Sequence, residues 1–251
     1  MATIELAAAG YRYIPFAFQY SGGVEALNGF QIERVEFSRP LPLAVGFRWI
    51  EDYLSKQGIP LVAFCACELR SPQQFTDAGF IAFNRQYTQT LKRWGVMQND
   101  EDNPVARSNV IPLLQKPAEP SFYAFSFARP ASGTSGSFVI AGSGEASDGP
   151  TPYSERTIRY GETTPDAMRD KAVFVLGRME ERMAALGKTW ADTTATQLYT
   201  VHDVHAHLAD EIVQRGAAHH GLVWHYARPP VEGLEYEVDV RSVPVEHHVK
   251  V

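Results

Sequence analysis

Two stretches of this chain repeat the same order of sequence patterns, one on each side of a glycine- and serine-rich segment at residues 132–137. In each stretch an apolar run enters a glycine turn that ends in Glu-Ala, at residues 17–26 and again at residues 137–146. An amphipathic pattern that ends at a glycine, typical of a helix C-terminus, follows at residues 49–58 and 179–187. Because a recurring order of patterns indicates repeated structural units, the sequence predicts two related halves.

The patterns that follow these helices recur as well. Each half continues with a strand, a second helix and a last strand, at residues 61–67, 75–94 and 122–127 in the first half and at 193–199, 204–215 and 234–240 in the second. The order ββ-α-β-α-β predicts an α/β (α+β) fold in which each half is a mixed β-sheet with two helices packed on one face. We place the two domains at residues 1–130 and 131–251. The alternative is an accidental likeness between unrelated α/β segments.

The composition excludes several classes of protein. Hydrophobic residues make up 45% and charged residues 21% of the 251 residues, which are the proportions of a soluble globular protein. The sequence has only two cysteines and no signal-peptide pattern, which predicts a cytoplasmic protein. Because no apolar run is long enough to span a membrane, we expect no membrane among its partners. A net charge of −6 argues against nucleic-acid binding, because phosphate contacts need clustered Lys and Arg.

Three motifs of the first half carry a resemblance to a known family. In chain order they are Tyr20-Ser21-Gly22-Gly23, Phe80-Ile81-Ala82-Phe83-Asn84-Arg85-Gln86-Tyr87 and Asn103-Pro104-Val105-Ala106-Arg107-Ser108-Asn109-Val110. They resemble the SG turn, the FNxxY helix and the PxR[ST] segment of the Rid/YjgF family of enamine and imine deaminases. The second half is similar through its AGSG turn, its helix and its last strand. The resemblance implies a tandem of two chorismate-mutase-like domains, a small carboxylate substrate, no cofactor, and assembly into a homotrimer or hexamer.

The resemblance also implies positions for the main site residues. In the family an arginine holds the substrate carboxylate, and a glutamate on the last strand activates the attacking water. Arg107 matches the arginine of the first half and Glu237 the glutamate of the second, but Ala124 and His219-His220 stand at the complementary positions. This complementary loss predicts one composite site; a decayed site that only binds is the alternative.

The chemistry of these two side chains is consistent with that assignment. A guanidinium such as that of Arg107 grips a carboxylate through two parallel hydrogen bonds. A partly desolvated carboxyl such as that of Glu237 can act as an acid or base near neutral pH. The alternatives are a structural ion pair for Arg107 and a solvent-facing position for Glu237.

Further candidates lie near the two glycine turns. Backbone N–H groups of Ser21, Gly22, Gly142 and Ser143 could bind a carboxylate or an oxyanion, although such turns also occur for purely structural reasons. We add three side chains to this set. Asn84 of the FNxxY motif is expected to contact substrate, Glu145 after the second turn is expected to line the cleft, and His220 is expected to hold an anion or carry a proton.

The remaining histidines and the cysteines receive a structural interpretation. His202, His205 and His207 cannot all lie on one face of a single helix or strand, so no metal site is expected unless residues distant in sequence complete it. Alternation along a strand would place Cys65 and Cys67 on one face, where we expect them to pack as small hydrophobic residues.

These observations leave three functional hypotheses. The first is a cofactor-free hydrolytic deaminase that releases ammonia from a small carboxylated enamine or imine such as 2-aminomuconate or 2-aminoacrylate. The second is a chorismatase-like hydrolase of an enol-ether dicarboxylate, which would release pyruvate. The third is a binding module for small anions without catalytic activity.

Overall fold

The computed structural model of the chain describes residues 2–133 and 136–251, so Thr134 and Ser135 of the predicted linker lie outside the described residues. The strands are β1 (Ile4–Leu6), β2 (Tyr11–Ile14), β3 (Gly23–Ala26), β4 (Phe30–Pro42), β5 (Phe64–Arg70), β6 (Ala106–Pro112), β7 (Ser121–Pro130), β8 (Phe138–Gly144), β9 (Ala195–Tyr199), β10 (Val223–His225), β11 (Ala227–Arg228), β12 (Glu237–Ser242) and β13 (Val245–Val249). The helices are α1 (Leu43–Lys56), α2 (Asp77–Arg93), α3 (Tyr153–Arg156), α4 (Pro165–Ala185) and α5 (His205–His207), which continues into π-helical turns at Leu208–Val213.

The described strands form two mixed sheets. The first sheet has the order β11-β6-β5-β7-β4-β13, and the second has the order β1-β2-β3-β8-β12-β9-β10. Four strands of each sheet match in order and direction: β4-β7-β5-β6 in the first corresponds to β8-β12-β9-β10 in the second. In both sets the second strand, β7 or β12, is antiparallel to the strands on either side of it. The third and fourth strands are parallel to each other.

The apolar side chains divide the molecule into layers of helix, sheet, sheet and helix. Aromatic side chains of α1 and α2, among them Phe47 and Tyr87, pack on one face of the first sheet. Side chains of α4, such as Val175 and Met179, cover one face of the second sheet. Mostly small residues, including Ala66, fill the space between the sheets. The two mixed sheets with helices on one face of each agree with the expected α/β class.

Local sequence accounts for the bounds of the helices. The Thr76 side chain accepts a hydrogen bond from Gly79 N at the start of α2, and Thr164 acts in the same way at the start of α4. Gly58 and Gly187, which follow the ends of α1 and α4, have φ angles of 67° and 74°. These left-handed conformations confirm the predicted glycine stops.

The start of β5 differs from the prediction for residues 61–67. Residues Leu61–Ala63 form a 3-10 turn, and a bulge interrupts the pairing of β5 with β7 between Phe64 and Ala66. Because a bulge breaks the alternation of side chains, Cys65 packs between the sheets whereas Cys67 packs toward α2. The prediction that both sulfurs lie on one face is therefore wrong, although both residues are buried as expected.

Two other predicted elements are shorter than their sequence patterns. The helix expected at residues 204–215 is only α5 and the π-helical turns that follow it, and the last strand begins at Glu237 instead of residue 234. Residues 17–26 and 137–146, whose shared pattern predicts equivalent parts of two repeated halves, do not hold equivalent positions in the two sheets. Strands β3 and β8 are antiparallel neighbours in one sheet, and the position of β8 in the first sheet is occupied by β4.

Each sheet takes strands from both sides of the expected boundary at residue 130. Strands β1, β2 and β3 near the N-terminus extend the second sheet, because β3 pairs with β8. In return β11 and β13 extend the first sheet through β6 and β4. The division into residues 1–130 and 131–251 stays a prediction. Among the described residues, none of the helices combines the length and the apolar character needed to cross a membrane.

Candidate active site

A cavity of about 220 Å³ lies where β6 of the first sheet meets β8 and β12 of the second. Its wall combines aromatic and aliphatic side chains with a small set of polar ones. The polar residues of the wall are Gln19, Tyr20, Arg107, Asn109, Ser143, Asp148, Tyr153, Arg156, Arg182 and Glu237. The structure therefore brings Arg107 and Glu237, which are 130 positions apart in sequence, into one cavity.

Arg107 is a buried cation held by α2. Its Nη1 donates to Asn84 Oδ1 at 2.5 Å, and the centre of its guanidinium lies 5.0 Å from the ring centroid of Tyr87 and 5.5 Å from that of Tyr20. Only 3% of the residue is exposed, and Arg107 Nε has no hydrogen-bond partner among the described residues. Asn84 therefore positions Arg107, whose Nε is a buried donor without a partner among the described residues.

Glu237 lies at the start of β12 and faces Gly142 of β8. A Cβ atom on Gly142 would overlap Glu237 Oε1, so the absence of a side chain at this position makes room for the carboxyl group. Burial, reinforced by the charge of Asp239, raises the pKa of Glu237 to about 8. At neutral pH this carboxyl group is mostly protonated, although Arg107 opposes the shift.

The glycine segments differ from the predicted turns. Gly142 and Ser143 belong to β8, and Ser143 pairs with Val238 of β12; both line the cavity. Ser21 N donates to Val105 O at 2.9 Å, and Gly22 N donates to Ile14 O at 2.8 Å. The N–H groups of Ser21 and Gly22 are therefore occupied within the protein, so an anion site formed by these two N–H groups is a wrong prediction.

Two candidate catalytic residues do not line the cavity. Both carboxylate oxygens of Glu145 are occupied, since Oε1 bonds to Lys171 Nζ at 3.1 Å and accepts from Glu235 N, while Oε2 accepts from Tyr236 N. His220 is exposed, and its ring contacts that of His219 with centroids 4.5 Å apart. The structure thus joins Arg107, Asn84, Gly142, Ser143 and Glu237, but does not add Glu145 or His220 to them.

Seven polar residues of the cavity wall were not selected from the sequence, among them Asn109, Tyr20 and Arg182. Asn109 alternates with Arg107 on β6, and its Nδ2 has no hydrogen-bond partner among the described residues. Tyr20 precedes the predicted turn, and burial raises its pKa above the ordinary value. Arg182 lies on the buried side of α4 between Met179 and Leu186, so a cation within an apolar stripe was the signal that could have found it.

The histidines and cysteines form no metal centre in the described parts of the chain, where no three His, Cys, Asp or Glu side chains are placed to hold an ion. His202 Nε2 bonds to Glu235 Oε2 at 2.9 Å, and His205 Nδ1 bonds to Asp203. Cys67 Sγ lies 3.3 Å from the Tyr87 hydroxyl, and burial raises the pKa of the Cys67 thiol to about 12. These thiols are therefore poor nucleophiles at neutral pH.

Comparison with known proteins identifies relatives of this chain. It is 50% identical over 235 residues to the 2-amino-5-chloromuconate deaminase of Comamonas testosteroni, with 93% of each chain covered. Among solved structures, the cyanuric acid hydrolase of A. caulinodans matches with a TM-score of 0.40 and 13% identity, over 86% of this chain and 67% of that one. The Rid/YjgF resemblance stays a prediction. The profile of the family described as "2-aminomuconate deaminase CnbZ" matches residues 3–247, and the chain therefore belongs to that family.

Proposed function

We propose that this protein is a hydrolytic deaminase of a 2-aminomuconate-type enamine and works without a cofactor. The observation that carries the proposal is the meeting of a buried arginine, Arg107, and a buried carboxyl group with a raised pKa, Glu237, in one cavity. Membership of the CnbZ family and the name of the 50% identical relative support the same substrate class. A perturbed carboxyl group inside a cleft is also a common mark of a catalytic site.

Arg107 provides the binding energy and orientation in this proposal. Its guanidinium is desolvated, lines the cavity and is held in place by Asn84, so a substrate carboxylate can supply the hydrogen bonds that burial has taken from it. Fixing the carboxylate next to the reacting carbons places the C2 amino group and the neighbouring double bond toward Glu237. Such positioning supplies a large part of the rate enhancement in reactions of this kind.

Glu237 transfers the protons. In the protonated form it donates a proton to the enamine carbon next to C2, which forms a C–H bond and leaves an iminium ion at C2. The resulting carboxylate takes a proton from water as the water oxygen bonds to C2. Glu237 then protonates the nitrogen, the C–N bond breaks, and ammonia leaves as the hydroxyl proton returns to Glu237. The sum is enamine plus water to 2-oxo acid plus ammonia, with Glu237 again protonated.

Ammonia release from 2-aminomuconate tests this function. We expect activity in the native chain and a loss of about 100-fold or more in kcat/KM in both Arg107→Ala and Glu237→Gln, because each removes an interaction needed in the transition state. The matched controls are Arg169→Ala and Glu181→Gln, whose exposed side chains form ion pairs on the surface of α4. The controls should keep the native rate.

The same assay separates the other hypotheses. Pyruvate release from an enol-ether dicarboxylate without ammonia release would support the chorismatase-like hydrolase. Stabilisation by muconate without turnover of either substrate would support a binding module. Native activity that survives both Arg107→Ala and Glu237→Gln would contradict the proposed site.

A further inference from the structure

A second arginine reaches the cavity from the opposite side. Arg182 lies near the end of α4, only 3% of it is exposed, and its Nη1 donates to Ala141 O at 3.0 Å, next to Gly142 in β8. The centre of its guanidinium lies 5.0 Å from the ring centroid of Phe16, another residue of the cavity wall. Arg182 is therefore fixed by the second sheet, whereas Arg107 is fixed by α2 against the first.

Neither guanidinium forms an ion pair with a carboxylate of the described residues, although the charge of Asp148 opposes the lowering of the pKa of Arg182. The ion pairs formed by arginines within residues 2–133 and 136–251 involve other arginines, not Arg107 or Arg182. Burying a cation without a counter-ion is costly, and burial lowers the pKa of Arg182 accordingly. With Glu237 protonated at neutral pH, Arg107 and Arg182 are two buried positive charges in the wall, which also holds the half-buried Arg156 and the exposed Asp148.

The two cations line one cavity from different elements, Arg107 from β6 and Arg182 from α4. The rings of Tyr20 and Phe16 stack with centroids 5.5 Å apart, and Arg107 lies over the first ring and Arg182 over the second, so both arginines lie at the same part of the cavity wall. Gly142 and Glu237 lie beside this part of the wall. A linear molecule with a carboxylate at each end matches the charge of this arrangement, and a monocarboxylate leaves one buried cation unpaired.

We propose that Arg182 binds the second, distal carboxylate of the substrate and makes the enzyme selective for linear dicarboxylates over monocarboxylates such as 2-aminoacrylate. This inference rests on the proposed function, because it assigns the reacting end of the substrate to Arg107 and Glu237. Arg182 contacts substrate at a distance from the reacting carbons, so its effect is expected in binding more than in proton transfer.

Two unreactive ligands isolate the second carboxylate. The compounds trans,trans-muconate and sorbate have the same six-carbon diene chain, and sorbate carries a methyl group where muconate has its second carboxylate. Calorimetry on the native protein should show muconate binding about 10- to 100-fold more tightly than sorbate, the range expected for one charge-assisted contact. In Arg182→Met we expect the muconate affinity to fall to that of sorbate while the sorbate affinity changes less than about twofold. Arg182→Lys should retain part of the preference.

Controls make the outcome decisive. Arg107→Lys should weaken both ligands, and Arg169→Met, an exposed position on the same helix, should leave both affinities unchanged. Thermal unfolding of each variant shows whether it is folded. The inference is overturned if folded Arg182→Met and Arg182→Lys lose both ligands equally or keep the native preference. Failure of the proposed function is recognised separately, as absence of ammonia release from 2-aminomuconate by the native protein.

Discussion

The protonation of Glu237 links the stability of the protein to its chemistry. The side chain is buried, and its pKa of about 8 lies above the ordinary value of 4.5. A carboxyl group whose pKa is raised on folding stabilises the folded state below the unfolded pKa, and this stabilisation is lost as the pH rises through the folded pKa. For Glu237 the window therefore runs from about pH 4.5 to about pH 8.

Replacement by glutamine tests this linkage. The free energy of unfolding of the native protein should fall by on the order of several kcal/mol across that window, at about 1.4 kcal/mol per pKa unit, and Glu237→Gln should flatten this part of the curve. Chemical denaturation at a series of pH values measures both curves. If the curves of the native protein and of the Glu237→Gln variant run parallel across this window, Glu237 is not protonated on folding.

The same proton governs the alkaline side of the rate profile. Because the first step uses protonated Glu237, kcat/KM should decline above about pH 8. Asp239, which raises the pKa of Glu237, offers a way to move the decline. In Asp239→Asn we expect the alkaline limb to shift to lower pH, measured as kcat/KM for ammonia release. If the alkaline limb does not move in Asp239→Asn, the decline in kcat/KM reflects the titration of a group other than Glu237.

Gly142 is required by the position of the Glu237 carboxyl group. A methyl group at Gly142 would overlap Glu237 Oε1 and approach Ser108 Cβ at 3.0 Å, so Gly142→Ala must displace the glutamate. We expect a loss of about 100-fold in kcat, the penalty for misplacing a catalytic group, with the fold retained. Gly177→Ala in α4 is the control, since a Cβ there meets no atom within 4 Å. Native activity in Gly142→Ala would contradict the observed packing.

At the scale of single elements, a buried ion pair fixes the segment that leads into β12. Glu145 follows β8, and its carboxylate binds Lys171 of α4 together with the backbone N–H groups of Glu235 and Tyr236. The exposed side-chain fraction of both Glu145 and Lys171 is 0%. These contacts determine where β12 begins, and therefore where Glu237 meets the cavity.

Removing the lysine should reveal the structural role of this pair. Lys171→Met leaves the Glu145 carboxylate buried without its cation, and we expect a loss of about 3–5 kcal/mol in the free energy of unfolding. Glu145→Gln leaves Lys171 without its anion and places an NH2 group against a donor, so it should be destabilised as well, but it should remain active where it is folded. Denaturation and ammonia release measure the two effects. Loss of activity in a fully stable Glu145→Gln would instead support a catalytic role for Glu145.

Local patterns predicted some elements well and others poorly, for identifiable reasons. The glycine stops of α1 and α4 follow from residues that lie in the helix patterns themselves, whereas the shared cavity of Arg107 and Glu237 was expected only from the family resemblance. The bulge near Phe64 and the late start of β12 depend on partners far along the chain, which local periodicity does not contain. Arg182 was missed because the apolar stripe of α4 indicates which side chains are buried but not that one of them lines a cavity.

At the scale of the whole molecule, each sheet contains strands from both halves of the chain. Residues near the N-terminus extend the second sheet through β3, and β13 near the C-terminus lies parallel to β4 in the first. Charged contacts reinforce the second connection. Arg34 of β4, which is 1% exposed, pairs with Glu68 at 2.6 Å and with Glu246 of β13 at 2.8 Å. The cavity lies at the junction of the sheets, so it depends on both.

This exchange of strands between the two sheets predicts that the two halves unfold together. Unfolding of the strands of the second half would remove β8, the partner of β3, and unfolding of the first half would free β13 and expose Arg34 and its carboxylates. Strands β5 and β9 hold the same inner position in the two four-strand sets. Native-state hydrogen exchange should therefore give the same opening free energy for both strands. Residues 1–130 and 131–251 expressed separately should fail to fold, because each fragment contains strands whose partners lie in the other. Distinct opening free energies for β5 and β9, or a folded fragment with cooperative thermal unfolding, would show that the halves are independent domains joined by the exchanged strands.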